Sequence, residues 1–182
     1  GTGSMVLDRE NKIAYASLSE RTNESLFNIW CKKMNFKAVS FASEDSKEQP
    51  VYHTNVLMSV CQKMVFICLD SITDKDQKKT LLSTFSKTKK EVIEISIEQK
   101  KNFLGNVLEL KNLKEESILI MSASAALSLT DSQKKIVNKN SKIIYSPLDT
   151  IEYFGGGSAR CMIAEIFLKP NYTSKLKYPI SS

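Results

Sequence analysis

Two side chains in this sequence are suited to covalent chemistry at carbon: a cysteine behind a glycine run and the only histidine. Cys161 ends the stretch Gly155-Gly156-Gly157-Ser158-Ala159-Arg160 and opens an apolar segment. Consecutive glycines let the main chain turn where other residues cannot, and let a ligand approach it closely. Main-chain N–H groups in such a turn, together with Arg160, would favour the thiolate, the nucleophilic form of cysteine. His53 stands in Tyr52-His53-Thr54-Asn55, after Pro50 and before another apolar segment. That is a loop or strand entrance, where rigid scaffolds display functional groups. A thiolate and an imidazole together can form a covalent intermediate and move the protons it needs. Each residue also has a plainer reading, a cysteine buried behind a flexible turn and a histidine kept for packing. The glycines match neither GxxxxGK[ST] nor GxGxxG, so a phosphate site is not indicated.

The spacing of the pair follows a repeat. Ser4-Met5-Val6-Leu7, Asn55-Val56-Leu57-Met58 and Asn106-Val107-Leu108-Glu109 align at offsets of 55 − 4 = 51 and 106 − 55 = 51. A second apolar strand follows each, at Ile13–Ala16, Met64–Ile67 and Ile118–Met121. A helix comes next. In the first unit Asn23 is the expected N-cap, and Leu26, Ile29, Trp30, Lys33 and Met34 have the spacing of one apolar helix face. The second and third helices open at Thr73-Asp74 and Thr130-Asp131, and both run on into lysines. Short strands at Ala38–Phe41, Val92–Ile95 and Ile143–Tyr145 close the units. A last strand, Cys161–Leu168, would begin a fourth unit that stops early.

The chain is therefore expected to be an α/β protein built from β-β-α-β units of about fifty residues, which must pack on one another to bury both sheet and helix faces. Residues 1–169 form one domain of such units in this reading, and 170–182 a polar surface tail. His53 and Cys161 are 161 − 53 = 108 residues apart, about two repeats, so both fall near the start of a unit. Units arranged around an axis would point both side chains into one central channel.

Composition narrows the classes. With 182 residues and 42% hydrophobic content, the chain can bury a core as one domain. The formal charge of +6 comes from scattered lysines such as Lys32-Lys33, Lys78-Lys79 and Lys134-Lys135, most of them on amphipathic helices. That pattern reads as solvated helix faces rather than a nucleic-acid surface. Cys31, Cys61, Cys68 and Cys161 form no CxxC pair, and one histidine cannot complete a zinc-finger pattern, so no metal site is expected. Cys61 and Cys68 lie in apolar runs, where free cysteine acts as a small hydrophobe. There is no signal-peptide core and no run long enough to span a bilayer, so the expectation is a reducing, cytoplasmic setting without a membrane.

Six segments carry a family resemblance: GTGSMVLDR, AYASLSERTN, VYHTNV, FLGNVLEL, MSASA and IEYFGGGSARCMIAEIFL. Together they make the chain, from Gly1 to Leu168, resemble the pentein superfamily of guanidino-modifying enzymes, and within it the citrulline hydrolase, amidinotransferase-like group. The resemblance implies a five-bladed α/β propeller with β-β-α-β blades, of which this chain supplies about three and a half. It implies Cys161 as nucleophile and His53 as acid–base partner. It also assigns Arg21 and Asn55 to substrate binding, with Arg160, next to the cysteine, as a further binding candidate, while Asn106 matches a motif position of structural character. Asn55 occupies the place where arginine deiminases carry an aspartate that holds a cationic guanidinium. An amide there points to a neutral ureido substrate such as citrulline, giving ornithine, carbon dioxide and ammonia through an S-carbamoyl cysteine. Neither metal nor organic cofactor enters that chemistry.

Five blades need more units than this chain has. The resemblance places further substrate-binding carboxylates upstream, or on a partner that completes the ring by homodimer formation or complementation. On this reading the isolated chain lacks part of its site. The enzymatic alternatives are arginine deimination and amidino transfer with the same two residues. From another class, the chain would be an inactive propeller fragment that serves as an interaction module.

Overall fold

A computed structural model describes residues 3–45 and 47–167. In the first unit β1 (Val6–Asp8) pairs antiparallel with β2 (Ile13–Leu18). Helix α1 (Glu24–Met34) then crosses over to β3 (Lys37–Ala42), which lies parallel to β2. The second unit begins with a single helical turn, α2 (Thr54–Leu57), and continues as β4 (Met58–Val60) and β5 (Met64–Ile67). Helix α3 (Lys75–Lys87) leads to β6 (Glu91–Glu94). After the short α4 (Ile97–Lys101), the third unit has β7 (Leu108–Lys111) and β8 (Ser117–Ser122). Helices α5 (Ala123–Ser128) and α6 (Asp131–Asn140) lead from there to β9 (Lys142–Ser146). Helix α7 (Asp149–Gly155) and a 3-10 turn, Ala159–Met162, end the described elements.

The three sheets share one topology, antiparallel then parallel, in the orders β1-β2-β3, β4-β5-β6 and β7-β8-β9. In each, the middle strand is followed by its helical crossover, the arrangement that a parallel neighbour requires. Local chemistry sets the helix starts. Asn23 accepts from Leu26 N–H, Asp74 from Asp76 and Gln77 N–H, and Thr130 forms a capping box with Gln133. One core runs through all three units, from Val6 and Tyr15 through Phe66, Ile67 and Phe85 to Leu119, Met121 and Val137, and a smaller cluster lies under α1. The repeat is therefore one packed body rather than separate modules, as expected of units too thin to bury their own faces. The inner strands β1 and β4 lie side by side. Among the described residues no helix is long and apolar enough to cross a membrane.

Three expectations are corrected. Of the α1 face read from Leu26, Ile29, Trp30, Lys33 and Met34, Trp30 packs inward, but Leu26, Ile29 and Met34 point outward, with Leu26 68% exposed. Phe27 and Cys31, one helical turn apart, pack instead on Ala14 and Ala16 of β2, because small strand residues let that face settle closest. His53 precedes the helical turn α2 rather than a strand. The expected strand Cys161–Leu168 does not form within the described residues. Cys161 lies in the 3-10 turn and 163–167 carry no regular structure, while Leu168 lies outside the described residues. A strand is stabilised by its ladder partners, and 163–167 pair with no described strand. The tail from Pro170 onward also lies outside the described residues.

Candidate active site

His53 is held from both sides of its chain position. The next residue, Thr54, is fully buried; its hydroxyl donates to Ser4 O at 2.7 Å and accepts from Ser17 N–H at 2.8 Å. These bonds bolt the entrance of the second unit onto the first. The imidazole lies over Gly3, where a Cβ would come within 2.6 Å of Nδ1, so only glycine leaves the ring its place. On its other side the ring meets Tyr52, with centroids 4.9 Å apart, and the Arg21 guanidinium carbon sits 5.8 Å from the Tyr52 centroid. Burial, and then the charge of Arg21, hold the imidazole below its ordinary pKa, so it is neutral at neutral pH.

Cys161 is positioned by the third unit. Asn106, fully buried just before β7, accepts from Ser158 N–H through Oδ1 at 3.2 Å and from Arg160 N–H through its main-chain carbonyl at 3.3 Å. Its Nδ2 donates to Asn55 O at 2.7 Å and to Cys161 Sγ at 3.2 Å. Asn55 Nδ2 donates to the same sulfur at 3.4 Å. The glycine run is anchored at two further points. Glu152 of α7 accepts from the Ser158 and Ser124 hydroxyls at 2.6 and 2.7 Å, and the Tyr52 hydroxyl donates to Gly156 O. Burial, with the charge of Cys161, pushes the Tyr52 phenol upward, so it remains a donor.

His53, Asn55, Arg160 and Cys161 line one open cleft of about 480 Å³. Gly3, Met5, Leu7 and Arg9 supply one wall, every second residue of β1 and its flanks, as strand alternation requires. Leu108 and residues 162–165 supply another. Glu165 is the one carboxylate among the described lining residues. Desolvation weakens the Arg160 proton affinity, and the charge of Glu165 partly restores it. Its guanidinium reaches Val107 O at 3.5 Å, beside the apolar floor. A thiol, a neutral imidazole, a carboxamide and a guanidinium thus line one partly apolar space. That combination suits attack on a planar, nitrogen-bearing carbon.

The family model for eukaryotic N,N-dimethylarginine dimethylhydrolase matches residues 1–168. The chain belongs to this family. Its members are cysteine-dependent hydrolases of the pentein superfamily, whose enzymes modify guanidino groups. Solved structures share the fold. ArgZ, described as an arginine dihydrolase from the ornithine–ammonia cycle in cyanobacteria, gives a TM-score of 0.69 at 19% identity, over 89% of this chain and 24% of its own. The N-terminal domain of an ArgZ variant, covalently bonded to a reaction intermediate, gives 0.67 at 20%, over 89% of this chain and 54% of that one. AgrE, in complex with ornithine and NAD+, gives 0.70 at 21%, over 89% and 22%. No curated protein matches the chain. This chain thus spans between about a quarter and about half of the length of these structures.

Within this dimethylarginine dimethylhydrolase family member, the structure brings four of the five sequence-predicted residues into the cleft. Arg21 is the exception; it is exposed, lies against Tyr52, and is absent from the cleft lining. Sequence reasoning missed Tyr52 and Glu152 and under-read Asn106. Tyr52 had a signal, since it neighbours the only histidine. Glu152 had none, because its role appears only when α7 folds back over Ser158 and Ser124.

Proposed function

We propose that this chain carries the nucleophile and base of a hydrolase acting on the C–N bond of a ureido or guanidino carbon, with citrulline as substrate. The observation that carries the reading is the sulfur of Cys161, which shares one cleft with His53 and receives the carboxamides of Asn55 and Asn106. A cationic guanidinium calls for carboxylates around it, and a neutral ureido group calls for amide donors and acceptors. Asn55 Oδ1 is buried and has no hydrogen-bond partner, an acceptor suited to a ureido N–H.

In the proposed reaction the sulfur attacks the ureido carbon, and the proton given up by the thiol passes through His53 to the departing δ-nitrogen. Ornithine leaves, and an S-carbamoyl enzyme remains. His53 then takes a proton from water, the resulting hydroxide attacks the thioester-like carbon, and the thiolate departs. The carbamic acid released falls apart into carbon dioxide and ammonia. Arg160, fixed beside the sulfur, binds a substrate oxygen. Arg21, beside the Tyr52 ring, acts on the charge of His53 and on the approach of substrate. Further carboxylates would come from polypeptide packed on the exposed edge of the third unit, supplied by a second copy or by additional blades.

Arginine is the second reading, favoured by the solved structures of ArgZ, an arginine dihydrolase, bound to substrate and to product. Product analysis with citrulline, arginine and N,N-dimethylarginine separates the readings. With the polypeptide that completes the site supplied, ornithine from citrulline, lost in Cys161→Ser, is the expected result. Turnover of arginine or dimethylarginine with no ornithine from citrulline would overturn the ureido assignment.

A further inference from the structure

Two primary-amide nitrogens lie against one sulfur, at 3.2 Å from Asn106 and 3.4 Å from Asn55. For Asn106 the direction of the amide is fixed by its other partners. One Nδ2 proton is used on Asn55 O at 2.7 Å, and Oδ1 is used by Ser158 N–H at 3.2 Å. Turning the amide over would set oxygen against oxygen and N–H against N–H, so the remaining Nδ2 proton must face the sulfur. Asn55 makes no other side-chain bond, and its Oδ1 stands without a partner. With Nδ2 on the sulfur, that oxygen is left for a ligand N–H.

We infer that Asn55 and Asn106 form a carboxamide pair that stabilises negative charge on the sulfur of Cys161, with Asn106 also the positioning residue of the nucleophile loop. This rests on Cys161 being the nucleophile. A hydrogen bond to an ionised acceptor is about twice as strong as one to a neutral acceptor, so two fixed donors favour the charged sulfur, both before attack and as it leaves the carbamoyl intermediate. The alternative donor is an imidazolium. His53 is held neutral by burial and by Arg21, so a pair of pH-independent amides takes that place. The other groups facing the cleft around the sulfur are Arg160 and Glu165 on its own segment, Arg9 at the end of β1, and Tyr52 beside His53. None of these substitutes for an N–H aimed at Sγ.

The test is the rate of carbamidomethylation of Cys161 by iodoacetamide, read by peptide mass spectrometry at pH 7 and at pH 10.5, which needs no substrate. Cys31, Cys61 and Cys68 are buried, so their failure to react reports that the fold is intact. Asn106→Ala and Asn55→Leu should each slow Cys161 alkylation about tenfold at pH 7, with rates converging on the unmodified protein at high pH where any thiol is ionised. Asn106→Ala also loosens the Ser158 loop, so Asn55→Leu is the variant that keeps the test clean. An equal rate at pH 7 in Asn55→Leu would overturn the inference. So would a deficit that persists at high pH, since that marks a displaced sulfur rather than lost charge stabilisation. If no ureido or guanidino substrate is turned over but the alkylation pattern holds, the proposed reaction fails and the carboxamide pair stands.

Discussion

Replacing Lys90 by methionine should cost more stability than any other single change at the periphery of the cleft. Lys90 Nζ spends its three protons on Asp8 Oδ2 at 3.2 Å, Cys61 O at 2.9 Å and Gln62 O at 3.0 Å. The side chains of Lys90 and Asp8 are 1% and 2% exposed, so water screens neither charge. Asp8 ends β1, Cys61 and Gln62 form the β4–β5 turn, and Lys90 precedes β6, so the ion pair pins the first unit to the second. Lys90→Met leaves the Asp8 carboxylate buried without its cation and two carbonyls without a donor. Breaking a buried pair in this way costs about 3–5 kcal/mol. At roughly 2–4 °C per kcal/mol for a chain of this size, the midpoint should fall by about 6–20 °C. The assay is thermal and urea unfolding followed by circular dichroism. Adding Asp8→Asn should recover much of the loss, since the stranded charge rather than the lost bond dominates. A loss below about 1 kcal/mol in Lys90→Met, or a double variant no better than the single one, would refute the reasoning.

The other predictions concern His53. As the only histidine, it gives one imidazole signal, and its proton NMR titration should have a midpoint below 6.5, moving upward in Arg21→Ala. The folded state binds this proton less tightly than the unfolded chain, so the associated stability is present above 6.5 and is lost as pH falls through the folded midpoint. A midpoint at or above 6.5 would contradict the burial argument. Gly3→Ala places a Cβ 2.6 Å from Nδ1, and ordinary contact begins at 3.4 Å, so the ring must retreat by about 0.8 Å. The His53 resonances should shift while the unfolding midpoint changes little, and kcat/KM should fall by up to about 10²-fold, the scale of such misplacements. Unchanged resonances would show that the ring does not occupy that space.

Much of the architecture was legible in the sequence because it is locally encoded. The 51-residue alignment, the alternation of apolar strands and the caps at Asn23, Asp74 and Thr130 act over a few residues, and all three units fold as those signals direct. The residue types at Cys161 and His53, and their separation of about two repeats, likewise pointed to one end of units two apart, and both side chains line the same cleft. The local signals failed where a neighbour decides the outcome. Leu26, Ile29 and Met34 have helical spacing, but the small Ala14 and Ala16 on β2 choose Phe27 and Cys31 for the buried face. The segment after Cys161 reads as a strand, yet extended chain becomes a strand only beside a partner, and 163–167 have none among the described residues. The sequence alone thus determined the repeat, the fold class and the two side chains proposed to react. Tertiary structure decided what surrounds them: the amide of Asn106 aimed at the sulfur, Glu152 clamping the glycine run, Arg21 turned to Tyr52, and Lys90 buried against Asp8. Those contacts join residues far apart in the chain, and hydrogen-bond direction and charge burial are fixed only when packing brings such residues together.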